Sequence, residues 1–340
     1  MYQDFAVQSR PEIGPPRLAE LRRACADAGL AGFIVPRADA YQGEYVAASD
    51  ARLGWLTGFT GSAGFCIALS DIAGVFIDGR YRVQVRAEVD LDHFTPVHWP
   101  ETRPGAWLRE QLESGDRVGF DPWLHTKSEI DRIRGDLEGS GIALVESANL
   151  IDAIWTDRPA PPAEPARIHP AEFAGESASG KRARLAEGLR AQDAAAAVIT
   201  LPDSLCWLLN IRGADLPRNP VVQAFGVLFE DGTLKLFADA AKFDADLRTH
   251  LGEAVSILPP GALGAALEAI EGPVLVDPDT APLAVSLRLA DHGTKILWDR
   301  DPCILPKARK NAAEIAGMEA AHQRDAVAMV AFLRWLDQEP

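Results

Sequence analysis

Apolar and polar positions repeat along this chain in two periods. RLAELRRACADAG (Arg17–Gly29) has helical spacing, with Leu18, Leu21 and Cys25 on one face and Gly29 as a stop. GFIVP (Gly32–Pro36) is a short apolar run closed by proline and predicts a buried strand. GFCIALS (Gly64–Ser70) and AGVFID (Ala73–Asp78) predict a hairpin around Asp71 and Ile72. RYRVQVRAEV after Gly79 predicts a helix. A strand around Val118–Phe120, a helix over Ser128–Leu137 and a strand around Ala143–Val145 follow. Strands alternating with helices predict an α/β domain.

The second half repeats this opening. RLAEL…AGLAGFIVPRAD from Arg17 is echoed by RLAEG…DAAAAVITLPD from Arg184. Each copy then reaches a Trp-Leu pair and a glycine, WLTGFTG from Trp55 and WLLNIRG from Trp207. A helix–strand–helix plan met twice predicts a duplicated α/β unit, with a period too long for a solenoid. Asp231-Gly232 within VVQAFGVLFEDGTLKLFAD is a hairpin turn signal, and strands and helices alternate from there to about Leu297. Between the copies lies DRPAPPAEPARIHPAEFAG (Asp157–Gly175), where five prolines fall between Pro159 and Pro170. Proline at that density predicts an extended, stiff connector rather than a helix or central strand.

KARKN (Lys307–Asn311) leads into a last helix, with Asn311 and Glu314 spaced as a reciprocal cap. From Ala326 to Leu336 its only charged residue is Arg334. A helix apolar nearly all round has to be covered, and each of Val327, Met329, Val330, Phe332, Leu333, Trp335 and Leu336 is worth roughly 1.5–3 kcal/mol when buried. The expectation is that this helix opens a domain outside these residues or forms a subunit interface.

Length and composition narrow the function classes. The 340 residues suit two or three domains, with apolar and charged fractions ordinary for a globular protein. A formal net charge of −15 argues against a nucleic-acid partner, which needs clustered Lys and Arg. No apolar run reaches membrane-spanning length, and MYQDFAVQSRPEIG lacks a basic region followed by an apolar core, so neither a membrane segment nor a secretory signal is expected. Cys25, Cys66, Cys206 and Cys303 lie far apart and read as small buried thiols of a reducing cytoplasm.

No self-sufficient catalytic motif is present: HExxH, the Walker A loop, GxGxxG and GxSxG are all missing. GFTGSAG has the glycine spacing of a phosphate loop but no lysine, so a tight connection before Phe65 is the stronger expectation. His322 and Asp325 share a helix face, a pair better read as a surface contact than as a metal site, and the other histidines are dispersed. Two polar constellations stand out. Asp78, at the end of an apolar strand, begins DGRY and would position Arg80 and Tyr81 at a cleft, or would simply cap the turn. NIRGADLPRNPV sets Asn210, Arg212, Asp215 and Asn219 in a long non-periodic loop. Arg212 suits a two-hydrogen-bond clamp on a carboxylate or carbonyl; the competing expectation is an internal Arg212–Asp215 pair.

These stretches carry a resemblance. DAYQGEYVAASDARLGWLTGFTGSAG from Asp39, DGRY from Asp78, LIDAIWTDRP (Leu150–Pro159), WLLNIRGADLPRNPV (Trp207–Val221) and the segment from Lys307 resemble the N-terminal part of three-domain Xaa-Pro aminopeptidases of the creatinase–prolidase "pita-bread" superfamily. The resemblance implies two related creatinase-N-terminal-like α/β domains, each a mixed sheet flanked by helices, followed by the first helix of the catalytic domain. The expected divisions are 1–157, a proline-rich linker 158–177, 178–305, and 306–340. It also implies a cytoplasmic homodimer acting on peptides with proline at the second position. In the family, two divalent metal ions, usually manganese, are held by two Asp, one His and two Glu of the catalytic domain and activate a bridging water. No residue here matches those ligands, so the resemblance implies that this portion shapes the substrate cleft and carries no cofactor of its own. Prolidase-like or creatine-like hydrolysis is disfavoured by LIDAIWTDRP. A non-catalytic peptide- or protein-binding module is the alternative, and a dehydrogenase is excluded for want of the glycine fingerprint.

Overall fold

The computed structural model describes residues 9–339. Met1–Gln8, where the leader expectation begins, lie outside the described residues. Two six-stranded mixed sheets dominate. The first contains β1 (Gly32–Pro36), β2 (Phe65–Leu69), β3 (Ala73–Ile77), β4 (Thr95–His98), β5 (Arg117–Phe120) and β6 (Ala143–Glu146), in the order β4-β3-β2-β1-β5-β6. A two-residue strand β7 (Arg167–Ile168) follows in the linker. The second sheet uses β8 (Ala196–Ile199), skips β9 (Ile211–Arg212), and continues with β10 (Phe225–Phe229), β11 (Leu234–Phe237), β12 (Val255–Leu258), β13 (Val274–Val276) and β14 (Ile296–Trp298). Its order, β12-β11-β10-β8-β13-β14, repeats the first strand for strand. In both, the opening strand is antiparallel to one neighbour and parallel to the other. The sequence repeat is therefore a repeat of topology.

Helices cover both faces of each sheet, which is why the strands are apolar without interruption. In β1, Phe33 and Val35 enter the core on one face and Ile34 the core on the other. In β8, Ala197 and Ile199 take one face and Ala196 and Val198 the opposite one. Leu18, Leu21 and Cys25 form the buried stripe of the helix Gly14–Asp27, as their spacing requires. All four cysteines are buried and free.

Three sequence expectations are corrected. The helix expected after Gly79 is a 3-10 turn, Gly79–Tyr81, and a short helix, Gln84–Glu88, because Asp78 caps the turn and Val83 faces solvent. The connector is not extended throughout. Proline-free Arg167–Ile168 pairs with β9, and Pro170 sits before the helix Ala171–Ala174, where a missing N–H costs nothing. β4 and the helix Pro104–Gln111 are additions to the expected elements; both are short and interrupted by proline or glycine.

The two lobes meet through equivalent segments. Each fifth strand ends in Asp-Pro, Asp121-Pro122 after β5 and Asp277-Pro278 after β13. Ser128 N donates to Pro278 O (3.1 Å), and Ala284 N donates to Pro122 O (3.0 Å). Ser128 and Ala284 follow their prolines by the same interval, and Thr126 and Pro282, at matching positions within those intervals, form an antiparallel bridge. The joint is thus locally two-fold, the geometry of a self-complementary interface within one chain.

A second link crosses the lobes at Asp39. The residue is 1% exposed, and its carboxylate accepts from Tyr41 N (2.9 Å) and from Gln223 Nε2 of the second lobe (3.0 Å). Burial, outweighing these hydrogen bonds, pushes its pKa up to about 6. A carboxyl held protonated in the folded chain above its unfolded value loses stability as pH rises between the two values. Unfolding free energy is expected to fall by up to about 3 kcal/mol between pH 4 and pH 6 through this group. Urea titrations of the wild type and Asp39→Asn across that window measure it; the difference between the two curves should narrow at low pH.

The last helix, Ala312–Gln338, begins with the expected reciprocal cap: Asn311 Oδ1 accepts from Glu314 N (3.0 Å), and Glu314 Oε2 accepts from Asn311 N (2.9 Å). Its start is tied to the short linker helix by Asn311 Nδ2 donating to Ala174 O (2.8 Å). Beyond that it touches little. No residue of it is buried, and Val330, Phe332 and Trp335 are 65%, 51% and 52% exposed. The apolar surface read from the sequence is open to solvent.

Candidate functional site

The loop after Trp207 divides into scaffold and surface. The helix Pro202–Leu209 is buried at every residue but Asp203 and ends at Asn210, whose φ of 50° and ψ of 52° suit asparagine in a left-handed cap. Asn210 is a correction to the cleft expectation. It is 2% exposed, accepts from Lys181 Nζ (2.8 Å) and donates to Glu176 O (2.8 Å). Lys181, 1% exposed, also donates to Trp207 O (2.9 Å) and lies 4.4 Å from the Trp207 ring centroid. Asp215 is corrected in the same way. It accepts from Lys242 Nζ (2.7 Å) and from Gln223 N (2.7 Å), both deep inside the lobe.

Asp215 Oδ2 pairs with Lys242, and the competing expectation, an Arg212–Asp215 pair, does not form among the described residues. Arg212 sits at the end of β9, donates only to the neighbouring Ile211 O (3.0 Å), and has no carboxylate partner among the described residues. With Asn219 it lines a groove of about 430 Å³ between the second lobe and the start of the last helix. Trp207, Phe173 and Met318 form apolar walls, and Lys310 shares the lining with Arg212. Lys307 is paired with Asp203, and Glu314 is committed to the cap. Burial, then the nearby Arg212 and Lys181, push the His169 pKa down. Arg212 and Lys310 thus have no ion-pair partner among the described residues, although Asp203 and Glu314 share the lining; with the aromatic wall they suit carbonyl or carboxylate groups on an apolar chain. Sequence reasoning named Arg212 and Asn219 but missed Lys310, His169 and Phe173. The KARKN run held a signal for Lys310; the dispersed His169 and Phe173 gave none.

The other constellation lies in the first lobe. Asp78 Oδ1 accepts from Arg80 N (2.9 Å), and its Oδ2 pairs with Arg80 Nη2 (2.7 Å), which holds the Asp78 carboxyl below the usual carboxylate range. Arg80 remains 63% exposed over the Tyr81 ring, and Tyr81 shares a 2.5 Å hydroxyl–hydroxyl hydrogen bond with Ser62. The cap expectation for Asp78 thus holds together with an outward Arg80. GFTGSAG is a tight connection: Gly58 closes a helix at φ +83°, and a Cβ at Gly64 would lie 2.7 Å from Phe76 O. No hydrogen bond or ion pair among the described residues joins this group to Arg212.

The family resemblance implies a dinuclear metal centre, and the donors here do not fit one. Among the described residues no three Asp, Glu, His or Cys side chains converge. His322 lies on the exposed helix against Met318 O (2.9 Å).

Models of the creatinase/prolidase N-terminal domain match twice, over residues 17–154 and 157–314. The chain belongs to the creatinase/prolidase N-terminal domain family. Within it, a protein of Coccidioides posadasii named "Probable Xaa-Pro aminopeptidase P" is 34% identical over 98% of this chain and 53% of its own length. One of the same name from Ajellomyces dermatitidis is 36% identical over 95% of this chain and 55% of its own. The crystal structure of X-prolyl aminopeptidase from Caenorhabditis elegans, described as a cytosolic enzyme with a di-nuclear active site, superposes with a TM-score of 0.88. It is 31% identical, over 96% of this chain and 56% of that one. The chain spans about half the length of the curated relatives it matches. Among the described residues no helix is long and apolar enough to cross a membrane.

Proposed function

We propose that these residues are the non-catalytic N-terminal part of a metal-dependent Xaa-Pro aminopeptidase. The observation that carries the reading is the last helix, whose apolar residues are exposed while both lobes before it are closed, in a chain spanning about half of its Xaa-Pro aminopeptidase relatives. A domain covering that helix would supply the metal ligands, two divalent ions with manganese as the expected species. The parent would be a cytoplasmic homodimer acting on peptides with proline at the second position.

In this reading the chain divides into 1–157, a linker 158–177, 178–305, and 306–340 as the start of the catalytic domain. Arg212 and Asn219 line the wall of the substrate cleft, and the Arg212 guanidinium donates to backbone carbonyls of the peptide. Arg80, exposed and oriented by Asp78, is a second cleft contact, with Tyr81 supporting it. Asn210 and Asp215 hold the loop that presents Arg212. The 340-residue chain, given manganese and a short Xaa-Pro peptide, is expected to release no N-terminal residue above background. Metal-dependent release followed by amino-acid analysis would overturn the assignment of chemistry to residues outside it.

A further inference from the structure

A further cavity, lined mainly by the first lobe, has neither Asp78, Arg80 and Tyr81 nor Arg212 in its lining. It encloses about 630 Å³ beyond the carboxyl end of β1, where the chain's first strand has one neighbour on each side and ligands in α/β sheets commonly bind. Its floor is apolar: Ile34 of β1, Phe65 of β2, Ile133 and Trp99. Phe65 is stacked on Phe76 at 4.5 Å and meets Trp99 edge-on at 6.4 Å, so the aromatic surface is fixed in place. Size and lining are those of a small-molecule site.

Charged groups at its rim are unequally committed. Asp136 is paired with Arg103 (2.6 Å), and Glu129 with buried His125 (3.1 Å). Glu44 and Asp279 also reach the rim. Arg132 lines it too, exposed and without an ion pair among the described residues; Arg37 differs from it in being half-buried. The Arg37 guanidinium donates only to Glu44 O (2.6 Å), and it has no carboxylate partner within ion-pair distance among the described residues. Burial pushes its pKa down, and nearby acidic groups only partly offset this. A half-buried guanidinium with donors to spare beside a fixed aromatic floor is an incomplete carboxylate site.

We propose that this cavity binds a small apolar carboxylate, the free carboxyl end of a short peptide or of an N-acyl amino acid, with the carboxylate on Arg37 and the side chain against Trp99 and Phe65. Glu44 and Asp279 disfavour simple inorganic anions and admit a ligand carrying an N–H or ammonium group as well. The site is built from first-lobe residues and Asp279, and it does not rest on the peptidase reading.

The test is direct binding to the full 340-residue chain, followed by calorimetry and tryptophan fluorescence. N-acetyl-phenylalanine is compared with N-acetyl-phenylalaninamide, which lacks only the charge. The acid should bind at least about tenfold more tightly than the amide, the worth of one charge-assisted contact. Arg37→Gln should remove that preference without changing the unfolding midpoint. Equal binding of acid and amide, or no binding of the acid at up to about 10 mM, overturns the proposal. That comparison uses only the wild-type chain, so it decides even if Arg37→Gln fails to fold.

Discussion

Arg52→Leu is expected to destabilise the first lobe by about 3–5 kcal/mol. The Arg52 side chain is 5% exposed and lies between two carboxylates. Its Nε and Nη2 reach Asp152 at 2.7 and 3.0 Å, and its Nη1 reaches Asp50 at 3.0 Å. Arg158 closes the square, to Asp152 at 2.7 Å and Asp50 at 3.2 Å, and donates to Ser49 O. Removing Arg52 leaves two poorly hydrated carboxylates sharing one partly exposed arginine. The cost comes from the uncompensated negative charge more than from the three missing hydrogen bonds. Arg52→Leu with Asp152→Leu should therefore cost less than Arg52→Leu alone. Urea unfolding of the wild type, of Arg52→Leu and Asp152→Leu singly, and of the double variant measures this. A double variant as unstable as the sum of the single changes would show that uncompensated charge is not the cause.

The second large effect concerns association. Replacing Val330, Phe332, Leu333 and Leu336 with glutamine should convert a self-associating chain into a monomer while leaving the thermal unfolding of the lobes unchanged. These side chains are half or more exposed and add nothing to either core. A continuous apolar helix surface of this kind drives association in water. Sedimentation velocity at micromolar concentration separates the outcomes. A wild-type chain that stays monomeric and binds no apolar dye would mean the surface is not a site of contact.

Several polar residues in the segments that make the family recognisable have internal structural partners. In LIDAIWTDRP, Asp152 and Arg158 belong to the ion cluster, Ile151 is buried, and Trp155 stacks on Trp55 at 5.3 Å. In NIRGAD, Asn210 caps a helix and Asp215 neutralises Lys242. Polar residues in buried joints are as demanding as catalytic ones, because each needs a particular partner. Sequence reasoning that takes polar residues in loops as cleft groups therefore names both kinds. Arg212 and Asn219 become separable from the rest only when the structure shows which side chains are consumed by internal partners.

The fold is more legible than the site. Leu18, Leu21 and Cys25 define a helix face by spacing, and the hairpins at Asp71 and Asp231-Gly232 follow from turn chemistry. The duplication is visible because both copies keep one apolar pattern. What escapes are β4, the helix Pro104–Gln111 and the two-residue strands β7 and β9, elements too short for a period to develop and held by tertiary pairing. The cavity at Arg37 is equally hidden, since its lining is gathered from well-separated stretches of chain.

The central claim is that these two lobes shape the cleft of an Xaa-Pro aminopeptidase and that Arg212 touches the peptide. It is tested by expressing the whole reading frame that encodes this chain, with and without Arg212→Ala, and following release of the first residue from a short Xaa-Pro peptide in manganese. Turnover by the wild type is expected, with a fall of about tenfold or more in kcat/KM for the variant, the scale of one charge-assisted hydrogen bond. Unchanged kcat and KM in the variant, or no turnover by the wild type, would contradict it.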